Sequence, residues 1–367
     1  MTYLVAFLAA ACVVLWATPT VKELGLRSGQ VDLPNERKIH QQPMVRLGGV
    51  SIFVGNLTAL LLLWSMGAFA GLQPEQEYEI WGVTVGGLLF FLIGLADDLF
   101  QLSAGTRLTL QLIVAAAAWW VGVRIEFIGL PGLGTLHLPL WISLGVTLLW
   151  LAGMANAINF IDGLDGLAAG VSGIAAVVML IVTVLLDRPA AAMIAAALAG
   201  GSLGFLRYNF NPAQIFMGDG GAYFLGFTLA GIGVIGVAKV AATLAVLLPF
   251  CILAVPILDM SAVILERVRK GYSPFRPDKA HLHHRLLKAG LSQRFSVLFI
   301  YALTLWVGSL ALALAGLPAG GTYLAGASLV MGVVSWGALQ THRRSRRHSP
   351  SLPEAKPDPH PQPSSRE

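Results

Sequence analysis

The chain has 367 residues, 12% of them charged and 56% apolar, with a formal net charge of +5 and a strongly positive mean hydropathy. That composition excludes a soluble globular domain of this length. Cys12 and Cys251 both fall in apolar runs, where a thiol acts as a small hydrophobe, so neither a disulfide framework nor a cysteine metal site is expected.

Turn residues, prolines and charges divide residues 1–340 into about eleven apolar segments, each near the ~20 residues that a bilayer-crossing helix needs. The predicted spans are 1–21, 47–71, 79–97, 107–123, 138–155, 166–186, 189–206, 221–238, 240–266, 296–315 and 321–340. The expected fold is all-α and polytopic. The first segment lacks a basic start, and Lys22 and Arg27 follow it, which fits an uncleaved helix with its N-terminus outside better than a signal peptide. With loops 22–46 and 267–295 and the tail inside, only Arg124, Arg188 and Lys239 remain outside, so the basic excess follows the positive-inside rule and does not indicate nucleic-acid binding. Residues 1–340 form the membrane domain. Residues 341–367, rich in Arg, Ser, Pro and His, read as a disordered cytoplasmic tail.

Polar clusters fall in alternate loops, all on the predicted cytoplasmic side. An ionised carboxylate at a helix centre in hydrocarbon costs at least about 2.5–3.5 kcal/mol, so acids at the margins of apolar runs point to a site. The first loop holds Lys38 and His40 within VDLPNERKIHQQPMVRLGG, by itself an ordinary basic juxtamembrane segment. Next come Asp97 and Asp98 in DDLFQLSAGTR, adjacent carboxylates whose repulsion suits them to bind a cation or take up a proton. The segment NAINFIDGLDGLAAG carries Asn156, Asn159, Asp162 and Asp165, with Gly163 and Gly166 beside the acids. Amides and acids three apart are neighbours on a helix, and the glycines let a sugar, nucleoside or metal-diphosphate approach the backbone.

In RYNFNPAQIFMGDGGAYFLGF, glycines bracket Asp219 just before a helix, an arrangement suited to a magnesium-bound phosphate. Asn209 and Phe216 are candidates to hydrogen-bond and stack a base. The last cluster places His281, His283 and His284 among Arg267, Arg269, Lys270, Arg276 and Lys279. Three histidines suit zinc, but cationic surroundings favour an anion, so phosphate binding is expected. Asp259, after Pro256 in the ninth span, is expected to orient one of these basic groups. A secondary transporter is disfavoured, because its site would lie near the midplane between repeated halves.

Together the loops resemble those of the polyprenyl-phosphate N-acetylhexosamine-1-phosphate transferases (glycosyltransferase family 4). The match runs from about Val31 to Gln293 through the DD pair, NxxNFxDGxDGLA, NFxPAxIFMGD and HLHH, in the family's order. Gln101 stands where the phospho-MurNAc-pentapeptide translocase branch has Lys, and PNERKIHQ and SPFRPDKAHLHHRL look like the UDP-GlcNAc:undecaprenyl-phosphate GlcNAc-1-phosphate transferase branch. Ala222 replaces a hydroxyl residue common in the family. The resemblance implies transfer of a sugar-1-phosphate, GlcNAc-1-phosphate first and phospho-MurNAc-pentapeptide as the alternative, from a UDP-sugar to polyprenyl phosphate at the cytoplasmic face of the plasma membrane. It implies Mg2+, with Mn2+ as a substitute, held by Asp219 and Asp98, and Asp97 as base. Asn156 would bind substrate, Asn159, Asp162 and Asp165 would contact the nucleotide and Asn209 and Phe216 its uracil, Lys38 and His40 the nucleotide or phosphates, and Arg267, His281, His283 and His284 the sugar-phosphate end. The implied partners are the UDP-sugar, the lipid and the bilayer; a homodimer is allowed for and nucleic acid is not.

Overall fold

The computed structural model describes residues 1–29, 31–32, 43–130, 134–238, 248–271 and 281–348. Lys38 and His40 lie outside the described residues, as do Arg276, Lys279 and 349–367. The chain is helical almost throughout. The helices are α1 (Thr2–Arg27), α2 (Gly48–Ser65), α3 (Pro74–Phe100), α4 (Ala104–Trp120), α5 (Leu140–Ile161), α6 (Leu167–Leu185), α7 (Pro189–Asn209), α8 (Gly218–Ile232), α9 (Leu248–Ile252), α10 (Ala254–Arg269), α11 (Leu282–Lys288), α12 (Gln293–Leu314) and α13 (Gly320–His348).

Their ends follow local chemistry. Pro74 and Pro189 open α3 and α7 at positions whose N–H is not needed. Ser103 and Ser292 cap α4 and α12 by accepting from the backbone N–H groups of Thr106 and Phe295, at 3.1 and 3.4 Å. Gln101, in the left-handed conformation, closes α3.

Nine helices among the described residues are long and apolar enough to cross a bilayer, which makes the chain a polytopic, all-α membrane protein. Two of the eleven predicted spans account for the difference. The fourth has 17 helical residues. The ninth resolves into α9 and α10, broken at Leu253, with Pro249 and Pro256 on either side; each proline lacks the N–H that a continuous helix would use. Two short antiparallel hairpins join the helices: β1 (Val31–Asp32) with β2 (Met44–Val45), and β3 (Phe127–Leu130) with β4 (Gly134–His137). The second lies in the connection between the fourth and fifth predicted spans. Helix α13 continues to His348, past the expected start of the tail.

Helix α8 is the centre of the bundle. Every residue in it except Asp219 is buried, as an apolar surface on all sides requires, and it packs against α3, α5 and α2. Helix α7, mostly Ala and Gly, is enclosed by α1, α6 and α2; small side chains allow such close packing where lipid removes the hydrophobic drive. Because the helices alternate in direction, the C-terminal ends of α1, α3, α5, α7 and α10 meet the N-terminal ends of α2, α4, α6, α8 and α12 at one end of the bundle. The described residues of the polar loops collect there.

Candidate active site

The centre of this end is a cleft of about 440 Å³ lined by Val31, Arg46, Asp97, Asp98, Gln101, Arg107 and Asp219, among others. Asp97 and Asp98 come from the last turn of α3, and Asp219 from the first turn of α8, the only α8 residue the packing leaves partly open. Asp97 is ion-paired with Arg107 of α4 and lines the same cleft as Asp219. Asp98 accepts from the Gly220 N–H at 3.2 Å through Oδ2. Its Oδ1 is buried and accepts no hydrogen bond among the described residues; it faces Arg46 Nη2 at 3.4 Å. Arg46 Nη2 is also 3.5 Å from Asp219 Oδ1.

Backbone geometry holds this loop. Gly48 and Gly49, the first residues of α2, donate their N–H groups to the carbonyls of Phe216 and Met217 at 2.9 and 2.8 Å, and Phe216 donates to Val45 O at 2.8 Å. The otherwise unpaired donors of a helix start are thereby spent on positioning Asp219. Gly218 takes a φ of +77°, and a Cβ there would lie 2.6 Å from Asp98 Oδ2, so the acid pair requires glycine.

The end of α5 joins the cluster. Asn159 Nδ2 donates to Asp219 Oδ1 at 2.9 Å. Asp162 caps α5, and its carboxyl is pushed up to about 7 by burial first and by the Asp219 charge second, while Arg46 draws it down. Asn156 sits one turn deeper, bonded to the buried Gln111 Oε1 at 2.7 Å and to Ala152 O at 2.8 Å.

Three of the expected nucleotide contacts have backbone-holding partners here. Asp165 Oδ2 accepts from Asn211 Nδ2 at 3.0 Å and the Ala213 N–H at 3.1 Å. Asn209 is buried, accepting from the Gly166 N–H at 3.1 Å and donating to Ile215 O at 2.9 Å. Phe216 is half-buried, with its backbone bonded on both sides. In this geometry Asp165 and Asn209 tie the loop before α6 to the loop before α8.

The histidines pack against the same loops. A Cβ on Gly163 would stand 2.4 Å from His283 Nε2, so the residue after Asp162 lies directly on the imidazole. His281 Nδ1 is 2.9 Å from Asp259 Oδ2, and the Leu282 N–H donates to Asp259 Oδ1 at 2.6 Å. Asp259 thus orients His281 and caps α11, the orienting role expected of it. His281 and His283 are nearly parallel, ring centres 5.7 Å apart, and His283 lies 4.3 Å from His284. Burial, with His284 and His281 adjacent, lowers His283 to about 4. It is therefore a neutral hydrogen-bonding ring at neutral pH. Arg267 is buried near the end of α10.

Arg46 and Arg107 were not singled out from sequence. Arg107 follows Asp97 by ten residues, so a cation near an acid cluster was its available signal, whereas Arg46, before the Gly48–Gly49 pair in PMVRLGG, has no acid cluster near it in sequence.

The donor set suits a hard divalent cation. Among the described residues no three His, Cys, Asp or Glu side chains form a complete metal cage. Mg2+ normally keeps several waters and takes one or two carboxylates plus substrate phosphates, and the unbonded Asp98 Oδ1 beside Asp219 offers that pair.

The chain was compared with known proteins. The family described as Glycosyl transferase family 4 matches residues 80–237, a stretch that encloses Asp97, Asp98, Asn159, Asp162 and Asp219. Similar proteins include the probable undecaprenyl-phosphate N-acetylglucosaminyl 1-phosphate transferase of Bacillus subtilis, 37% identical over 81% of this chain and 80% of that protein. The decaprenyl-phosphate N-acetylglucosaminephosphotransferase of Mycolicibacterium smegmatis is 36% identical over 83% and 79%. The undecaprenyl-phosphate alpha-N-acetylglucosaminyl 1-phosphate transferase of Pasteurella multocida is 34% identical over 82% of each. With identity at this level over about four-fifths of the chain, the chain belongs to glycosyl transferase family 4.

Proposed function

We propose that this protein transfers GlcNAc-1-phosphate from UDP-GlcNAc to a polyprenyl phosphate, releasing UMP. An oxygen of the lipid phosphate forms a bond to the sugar-bearing phosphorus, and the bridging P–O bond to UMP breaks. The observation that carries this reading is the convergence of Asp98, Asp219 and Asn159 with Arg46 in one cleft at the end of the bundle where the polar loops meet. The names of the similar proteins supply the acceptor and the sugar.

Phosphoryl transfer is mainly positioning and charge neutralisation. Asp98 and Asp219 would hold Mg2+, which when bound neutralises charge on the diphosphate. Asp97, ion-paired with Arg107, would take a proton from the lipid phosphate. Asn159 fixes the rotamer of Asp219. His281, held by Asp259, and the neutral His283 offer hydrogen bonds to the sugar-phosphate end. The site is assigned to the cytoplasmic face: Lys22, Arg27, Arg46, Arg107, Arg207, Arg267, Arg269 and Arg294 sit at this end of their helices and Arg124 and Arg188 at the other, which supports that orientation.

The test is incubation of detergent-purified protein with undecaprenyl phosphate, Mg2+ and radiolabelled UDP-GlcNAc. Label in the organic phase, with UMP release and loss of product in EDTA, is the expected result. Product only with UDP-MurNAc-pentapeptide would replace the donor.

A further inference from the structure

Arg46 has an unusual position for a cleft cation. Its Nη2 atom stands between two carboxylate oxygens, 3.4 Å from Asp98 Oδ1 and 3.5 Å from Asp219 Oδ1. Of these two oxygens, Asp98 Oδ1 is buried without a hydrogen bond among the described residues. The Asp98 side chain is 5% exposed whereas that of Arg46 is 44% exposed, so the guanidinium covers the buried acid from the open side. Its backbone is fixed even so: Val45 accepts from Phe216, and Gly48 donates to it.

A magnesium ion held by Asp98 and Asp219 would need the short ion–oxygen contacts of its usual coordination, about 2.0–2.1 Å. A guanidinium cannot keep its place beside a divalent ion at that distance, because the space is shared and both are cationic. We infer that Arg46 is a tethered competitor for the metal position: the guanidinium and a divalent cation alternate between Asp98 and Asp219, and the displaced Arg46 swings toward the cleft mouth, where an anionic phosphate is its natural partner. Metal entry and the exposure of a phosphate-binding cation are then one event. A guanidinium on a long, half-exposed side chain can make that exchange without moving the backbone.

This inference rests on Asp98 and Asp219 being metal ligands, and the experiment separates the two ideas. Mn2+ binding to the purified full-length protein is measured by the loss of the free-ion EPR signal, for wild type, Arg46→Ala, Arg46→Lys and Asp219→Asn. Removal of a competing cation tightens binding, so Arg46→Ala should lower the Mn2+ dissociation constant by about fivefold or more, a modest change because the guanidinium is partly solvent-screened. Arg46→Lys should stay close to wild type, and Asp219→Asn should bind weakly. Tightening is the discriminating direction, since a variant that merely disturbs the cleft binds metal less well. An unchanged or raised dissociation constant for Arg46→Ala, with wild type binding normally, overturns the role of Arg46. Absence of binding by both wild type and Arg46→Ala overturns the metal assignment itself, and this inference with it.

Discussion

Asn159 Nδ2 and Asp219 Oδ1, 60 residues apart in sequence, are joined by a 2.9 Å hydrogen bond that links the end of α5 to the start of α8. A carboxylate with one oxygen held in this way has a fixed plane, so its other lone pairs point in set directions. The acid is poised by an amide before any ligand arrives.

Asp219→Asn keeps the shape and removes the charge. Turnover is expected to fall by at least about a hundredfold while the melting temperature in detergent stays near wild type. Near-normal turnover of the purified variant in the lipid-product assay would remove Asp219 from the metal position.

Gly163→Ala places a methyl about where His283 Nε2 now lies, 2.4 Å from the ideal Cβ. Overpacking of this kind costs about 1–3 kcal/mol, so a melting temperature lower by several degrees and a weakened UDP-sugar KM are expected. An unchanged melt and KM would show that α11 does not rest on this loop.

Asp259→Asn retains an acceptor for the Leu282 N–H but removes the anion beside His281 Nδ1. The ring loses its preferred orientation and tautomer. A fall of about tenfold in kcat/KM is expected. An unchanged kcat/KM would mean that His281 takes no part.

His283 supplies a pH signature. Its folded value of about 4 lies below the ordinary value of about 6.5, so the unfolded chain takes up the proton first as pH falls. The stability is whole above about pH 6.5 and is lost progressively down to about pH 4, by about 3 kcal/mol. His283→Gln, which has no titration, should flatten that acid limb in melting curves taken from pH 7.5 to 4.5. An acid limb of equal slope in the variant would assign the loss to other groups.

Much of this was legible because hydrocarbon makes acids conspicuous. Asp97, Asp98, Asn159, Asp162 and Asp219 stood out at the ends of apolar runs, and the structure brings them to one end of the bundle. Arg46 was hidden, since a basic residue before a membrane helix is expected for topology alone and its partner Asp219 is 173 residues away. The difference between a ligand contact and a tie within the protein was equally hidden. Asp165 and Asn209 belong to residue types that bond backbone N–H groups in turns as readily as they bond ligands, and only the bonds to Ala213 and Gly166 show which partners they hold here. The break at Leu253 lay inside a run whose hydropathy is continuous, and hydropathy does not record a missing N–H. The pairing of Phe127–Leu130 with Gly134–His137 joins two four-residue strands, too short to carry a periodic pattern as clear as helical spacing.

The three backbone bonds between residues 45–49 and 216–217 have a consequence for engineering. Parts from two such proteins can be exchanged only along seams that leave these segments from the same parent. A chimera that replaces the chain up to Gly49 and keeps Phe216 to Gly221 would pair an incoming helix start with a foreign acid loop, and its Asp219 would inherit whatever mismatch results. The beginning of this protein and its middle are, in that sense, a single interchangeable cartridge.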